Sequence, residues 1–141
     1  MTILANVGIT TAVTALTTPV VKFDSKPISV ALQCNFTWGS GGTTMNAWVQ
    51  TTLDGGATWT DVANFSLTTS SARKIVNLSS LTPETTQVTP SDGALAANTA
   101  QDGIVGSQWR VKYTTTGTYA GNTTLRVDIE AQGRPKLATV E

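Results

Sequence analysis

No histidine occurs in the 141 residues, so the commonest general base and metal ligand is missing. The single Cys34 cannot close an internal disulfide. It lies in an alternating apolar stretch and reads as a small buried hydrophobe. Charge is scarce, at 13% of residues, and nine basic side chains balance nine acidic ones. Such a balance exerts no pull toward nucleic acid or an anionic membrane, and no basic run is longer than Arg73-Lys74. No apolar run approaches the ~20 residues of a membrane-spanning helix. The opening Met1-Thr-Ile-Leu lacks the basic and apolar regions of a secretory leader, so the expectation is a chain made in a cytoplasm. A nucleophile elbow and a phosphate-binding glycine loop are also absent. These absences predict a protein that is not an enzyme and that needs no cofactor or metal.

What remains is a chain rich in Thr, with apolar residues at alternate positions. Thr is polar yet β-branched, so a Thr-rich surface stays wet and still favours strands. Ile28 to Trp38 is the cleanest case. Val30, Leu32, Cys34, Phe36 and Trp38 point one way, while Ala31, Gln33, Asn35 and Thr37 point the other. Met45, Ala47 and Val49 alternate with Asn46, Trp48 and Gln50. Trp48 therefore falls on the face away from Val49, either exposed or covered by something other than the main core. The spacing of Trp59, Val62, Phe65 and Leu67 predicts a bulge near Val62-Ala63. Ala72 to Leu78 reads as another short strand. Trp109, Val111 and Tyr113 share a face, as do Leu125, Val127 and Ile129 beyond a Gly117–Asn122 loop. Read as a hairpin with Tyr113 opposite Leu125, these strands set Arg110 across from Asp128.

Alternation stops between residues 79 and 106, a stretch that carries Pro83, Pro90, Glu84, Asp92 and Asp102. A loop of this length in a compact domain is usually functional or disordered. Ala94 to Ala100 fits one helical turn at most. Residues 1–18 read as a first strand, a flexible arm or a segment that orders on a partner, and 133–141 as a tail. About seven or eight strands, with turn signals between them, predict an all-β protein. The expected architecture is one antiparallel β-sandwich over 19–132, of jelly-roll or immunoglobulin-like kind, with terminal arms. The Cys-Trp-Cys framework of true immunoglobulin domains is missing.

The hairpin Thr52-Leu-Asp-Gly-Gly-Ala-Thr-Trp59 resembles the Asp-box turn best known from sialidases and other β-propellers. A structural role is expected. Asp54 accepts hydrogen bonds from the turn, Gly55 and Gly56 take positive φ, and Trp59 packs beneath. Asp61, Glu84, Asp92 and Asp102 read as solvated acids, since their spacing matches neither a carboxylate pair nor an EF-hand. Trp38, Trp59 and Trp109 fall on core faces. Trp48 is left as the free aromatic for a protein partner or, less favoured, a sugar.

The stretch Ala47 to Leu67, with Asp102-Gly-Ile-Val-Gly106, Trp109-Arg-Val-Lys-Tyr113, Gly117-Thr-Tyr119 and Leu125-Arg-Val-Asp128, resembles small β-sandwich virion proteins of tailed bacteriophages. The resemblance covers the central and C-terminal two-thirds of the chain. It implies a virion structural protein of the capsid cement (decoration) type, made in the host bacterial cytoplasm. Such a protein sits on the major capsid protein shell as a homo-oligomer, a trimer for example. The expected partner contacts are Ile3, Leu4 and Val7, then Trp48, Pro83 and Pro90, and Arg134 and Pro135 in the tail. The alternatives are a head–tail, tail or fibre component, and a carbohydrate-binding module.

Overall fold

The computed structural model describes residues 1–133 and Leu137, so the expected contacts Arg134 and Pro135 lie outside the described residues. Seven long strands carry the fold: β1 (Thr2–Gly8), β4 (Ser29–Thr37), β6 (Thr44–Thr52), β7 (Thr60–Leu67), β8 (Ala72–Ser79), β9 (Gln108–Thr116) and β11 (Thr124–Gln132). Four two-residue strands accompany them: β2 (Leu16–Thr17), β3 (Val21–Lys22), β5 (Ser40–Gly41) and β10 (Tyr119–Ala120). The described residues contain no helix, and the helical turn expected near Ala94–Ala100 is not formed.

The strands make two antiparallel sheets packed as a sandwich. One runs β1-β11-β4-β8; the other runs β2-β9-β6-β7, with β3 also on β9. β2 and β3 act as one strand interrupted at Pro19, whose ring nitrogen cannot donate to a ladder. Between them the Thr18 amide donates to the Val111 carbonyl, and the Val111 amide donates to the Thr18 hydroxyl, both at 2.9 Å. Counting β2 and β3 as one and leaving out β5 and β10, the chain-order positions read 1-8-3-6 and 2-7-4-5, the jelly-roll order. An immunoglobulin fold places its last strand in the opposite sheet from its first. Here β11 lies beside β1.

This topology corrects the expected C-terminal hairpin. β9 pairs with β6, so Arg110 sits opposite Gln50, while Asp128 sits opposite Gln33 and Ile3. Period-two alternation assigns a residue to a face without naming the neighbouring strand. The connection after β9 pairs β10 with β5 and carries the chain across the sandwich.

The core lies between the sheets. Leu32, Cys34 and Phe36 of β4, with Leu125, Val127 and Ile129 of β11, belong to one buried cluster with Met45 and Val49 of β6 and Trp109 and Val111 of β9. Each large side chain so buried contributes about 1.5–3 kcal/mol before the entropy of ordering it is subtracted. Tyr119, from the crossing connection, meets Phe36 edge-to-face at 5.7 Å and donates its hydroxyl to the Thr68 carbonyl at 2.8 Å.

The expected bulge is present, and it sets which side chains β7 turns outward. Val49 pairs with Ala63 and Gln50 with Asp61, leaving Val62 as the extra residue. Strict alternation would turn Val62 outward and Asp61 into the core. The inserted position buries Val62 and sends Asp61 to the outer face of the sheet, beside Gln50.

Candidate functional site

The outer face of the β9-β6-β7 sheet carries Trp48 and Gln50, Asp61 and Asn64, and Arg110 and Lys112. Residues 91–95 of the long loop lie across it. Asp61 is the hub. It is only 2% exposed, and its carboxylate accepts from the amides of Gly93 (2.9 and 2.8 Å), Ala94 (2.9 Å) and Leu95 (3.0 Å). It also accepts from the Ser91 hydroxyl at 3.0 Å and the Gln50 amide at 2.7 Å. The Asp61 backbone amide donates in turn to the Ser91 carbonyl at 2.8 Å. A buried carboxylate with this many donors is fully satisfied, which is what permits its burial.

The rest of the face completes the clamp. The Trp48 indole and the Asn64 amide both donate to the Leu95 carbonyl, at 3.0 and 2.9 Å. Asp92 accepts from Lys112 Nζ and Gln50 Nε2, each at 2.6 Å. Partial desolvation pushes the Asp92 carboxyl up, but these hydrogen bonds and the charges of Lys112 and Arg110 outweigh it and hold the group below its ordinary range. Arg110 Nε donates to Gln50 Oε1 at 2.8 Å, and the guanidinium lies over the Trp59 ring, 4.3 Å from the centroid.

Beyond residue 95 the loop adds itself to the sheet edge. Asn64 N donates to Thr99 O and Gln101 N to Val62 O, both at 2.9 Å, around an Ala63–Ala100 bridge. This covers the β7 edge, which would otherwise offer unpaired amides and carbonyls to another strand. Asp102 closes the loop on its own beginning, accepting from Ser79 N at 2.7 Å, Gly103 N at 2.8 Å and the Thr82 hydroxyl at 2.9 Å. The Ser79 bond leads the others in lowering its pKa.

The Asp-box turn is built as the sequence implies. Asp54 Oδ1 accepts from Thr58 N and the Thr52 hydroxyl, each at 2.8 Å, and Oδ2 accepts from the Thr58 hydroxyl at 2.6 Å. Gly55 and Gly56 hold φ of 73° and 100°. The bonds from Thr58, with that from Thr52, draw the exposed Asp54 carboxyl down to about 2. Trp59 is a correction. It is half-buried beneath Arg110 on the outer face, not in the core, because it precedes the bulge that reverses the facing of β7.

The structure redistributes the expected contacts. Trp48 is 8% exposed and lies under the chain's own loop: of the two expected alternatives it is the covered one, and its reading as a free partner contact is corrected. The solvated reading of Asp61 is corrected likewise. In the N-terminal segment, Thr2–Gly8 pairs along β11, with Leu4 buried, Val7 half-buried and Ile3 exposed. Pro83 and Pro90 are exposed on the loop. Trp109 is buried with its indole on the Gly106 carbonyl at 3.0 Å. Gln50, Lys112 and Arg110 were legible only as outward-facing strand residues. The signal that could have found the clamp is a bulged strand with one acid, together with an Asp-Gly turn in the loop.

Chemically, the site holds the chain in shape. Its acids are occupied by donors from this chain, and among the described residues no three His, Cys, Asp or Glu side chains gather as a metal set. Burial pushes the Cys34 thiol up to about 12, with Lys74 opposing weakly, so it is no nucleophile near neutrality. Comparison with protein-family models, with curated proteins and with solved structures returned no match.

Proposed function

We propose that this chain is a virion structural protein of a tailed bacteriophage, of the cement type, which binds the major capsid protein shell as an oligomer and stiffens it. The observation that carries the reading is the use made of the polar groups. Asp54, Asp61, Asp92 and Asp102 are all engaged with this chain's own loops, so these acids serve to set the surfaces that the molecule presents. The hairpin and C-terminal segments that resemble small phage β-sandwich proteins agree with it. A jelly roll serves in viral shells and in lectins alike and does not choose between them. The sugar-binding alternative loses its one candidate aromatic, because Trp48 is covered and its indole is bonded to Leu95.

The test is to add the purified chain to shells that lack it and to measure co-sedimentation, stoichiometry and shell melting. Binding in many copies per shell, with a raised melting temperature, is expected. Absence from the shell, or a few copies at one vertex or along the tail, overturns the cement reading in favour of a head–tail or tail component.

A further inference from the structure

The long loop extends one sheet and leaves the other short. Residues 99–101 lie along β7, so the β9-β6-β7 sheet gains an outer segment there. The sheet packed against it ends at β8. A step remains beside β8, where a hollow of about 210 Å³ separates Lys74–Val76 from Asn98–Ala100.

The bonds at the end of β8 fix which way its backbone faces. The Ser80 amide donates to Ile28 O on the β4 side, and the Ser79 amide donates to Asp102 on the other. Alternation then turns the amides and carbonyls of Arg73, Ile75 and Asn77 toward the open edge. Among the described residues these groups have no hydrogen-bond partner. Other edges are blunted: β1 is bulged between Ile3 and Ala5, and the β2–β3 edge is broken at Pro19. β8 pairs with β4 over all eight of its residues without a register shift.

Charge marks the same edge. Arg73 and Lys74 are the only adjacent basic pair in the sequence. Arg73 donates to Gln33 Oε1 at 3.3 Å, and Lys74 Nζ donates to Ser66 O at 2.6 Å and Asn98 Oδ1 at 2.9 Å. These acceptors are all neutral. Arg110, Lys112, Arg126 and the Met1 ammonium each meet a carboxylate, whereas Arg73 and Lys74 form no ion pair among the described residues.

We infer that the β8 edge takes an extended acidic segment of a partner protein as an added strand, with a carboxylate opposite Arg73 and a β-branched side chain opposite Ile75. Main-chain bonds at Arg73, Ile75 and Asn77 give the pairing, and the side chains give the choice. Ile75 is 60% exposed and supplies the apolar contact on the outer face. The partner's intervening side chains point into the hollow, toward Val76 and Ala100. A second copy is disfavoured in this place, because β8 laid on β8 gathers four cations along one seam with no acid in either strand. The pairing does not rest on the virion reading, since backbone and charge alone choose the partner.

Amide NMR of the full chain tests it, with a capped peptide Ser-Thr-Val-Ile-Thr-Glu-Ser added to about 5 mM, above the ~0.1–1 mM dissociation constant expected of so short a strand. Shifts at the amides of Arg73, Ile75 and Asn77 are expected, with slowed hydrogen exchange at all three. A peptide carrying Lys for Glu should bind about five- to tenfold more weakly. N-methylation at the peptide's Ile should abolish binding, because it removes the amide that Ile75 O accepts. Arg73→Glu, an exposed substitution checked for a native spectrum, should reverse the preference between the two peptides. Unshifted amides along this edge, equal binding of both peptides, indifference to N-methylation, or a preference that Arg73→Glu leaves unchanged overturns the inference. Protection of these amides that rises with protein concentration alone also overturns it, in favour of a second copy.

Discussion

The Leu95 amide donates to the Asp61 carboxylate at 3.0 Å across 34 residues of chain, and the Leu95 carbonyl accepts the Trp48 indole at 3.0 Å. One residue of the loop is thus held through both its backbone groups by two strands of the sheet beneath. One buried acid, Asp61, gathers residues 91–95 of the loop onto the sheet.

Asp61→Ala should therefore release the loop. The substitution leaves three loop amides and the Ser91 hydroxyl without their acceptor and takes one of two from Gln50, and unsatisfied buried donors of this kind cost about 2–4 kcal/mol in sum. A lowered urea midpoint is expected, with lost hydrogen-exchange protection at Gly93, Ala94 and Leu95 and a red-shifted Trp48 emission. Protection that stays at wild-type levels in those amides would refute the hub role.

Acid should loosen the turns in a defined window. Asp54 titrates at about 2 in the folded chain, against roughly 3.9 unfolded. Its folded pKa is depressed, so its stabilising contribution is complete above the unfolded value and disappears as pH falls through the folded one. Asp92 and Asp102 are lowered too and add in the same direction. Stability should fall as pH drops below about 4 and continue falling to about 2. Carboxyl NMR titration should place the Asp54 midpoint near 2, and Thr58→Val should move it upward; a midpoint near 4 would contradict the turn geometry.

Gly39→Ala and Gly8→Ala make a matched pair. A β-carbon at Gly39 would run into the Gly121 carbonyl oxygen, backbone that cannot move aside cheaply, whereas at Gly8 it would meet nothing within 4 Å. Gly39→Ala should cost about 2–4 kcal/mol and Gly8→Ala less than about 0.5 kcal/mol in chemical denaturation. Equal effects would mean that the close approach of these two loops is not maintained in solution.

Cys34 should be silent to thiol reagents. It is fully buried, with its pKa pushed up to about 12 by desolvation. An Ellman assay at pH 8 should read no thiol in the native protein and one per chain in denaturant. Its folded pKa is raised, so the linked stability is fully present below the unfolded value near 8.5 and declines only as pH rises toward 12. Rapid native labelling would show that the core opens more readily than this packing allows.

Local rules were legible in the sequence to different depths. The alternation in β4 and β11 and the Asp54 turn follow from residues next to one another, and the structure has them as read. The bulge at Val62 was legible as well, but its consequence was not. Moving Asp61 outward matters only because the Asp92-Gly93 turn arrives on that face from far along the chain. Trp48 reads in the sequence as exposed or as covered from outside the main core, and only the fold shows that the loop covers it; the outward facing of Trp59 was missed.

Residue order alone was enough to settle that the chain forms strands, which faces of those strands are apolar, and where the turns fall, because steric preference and period-two burial act within a few residues. It took the folded arrangement to settle that β11 lies beside β1 and β4 and not beside β9, that Asp61 and not Asp54 gathers the long loop, and that this loop covers the β9-β6-β7 sheet. Those outcomes depend on which distant segments meet, and alternation carries no information about partners.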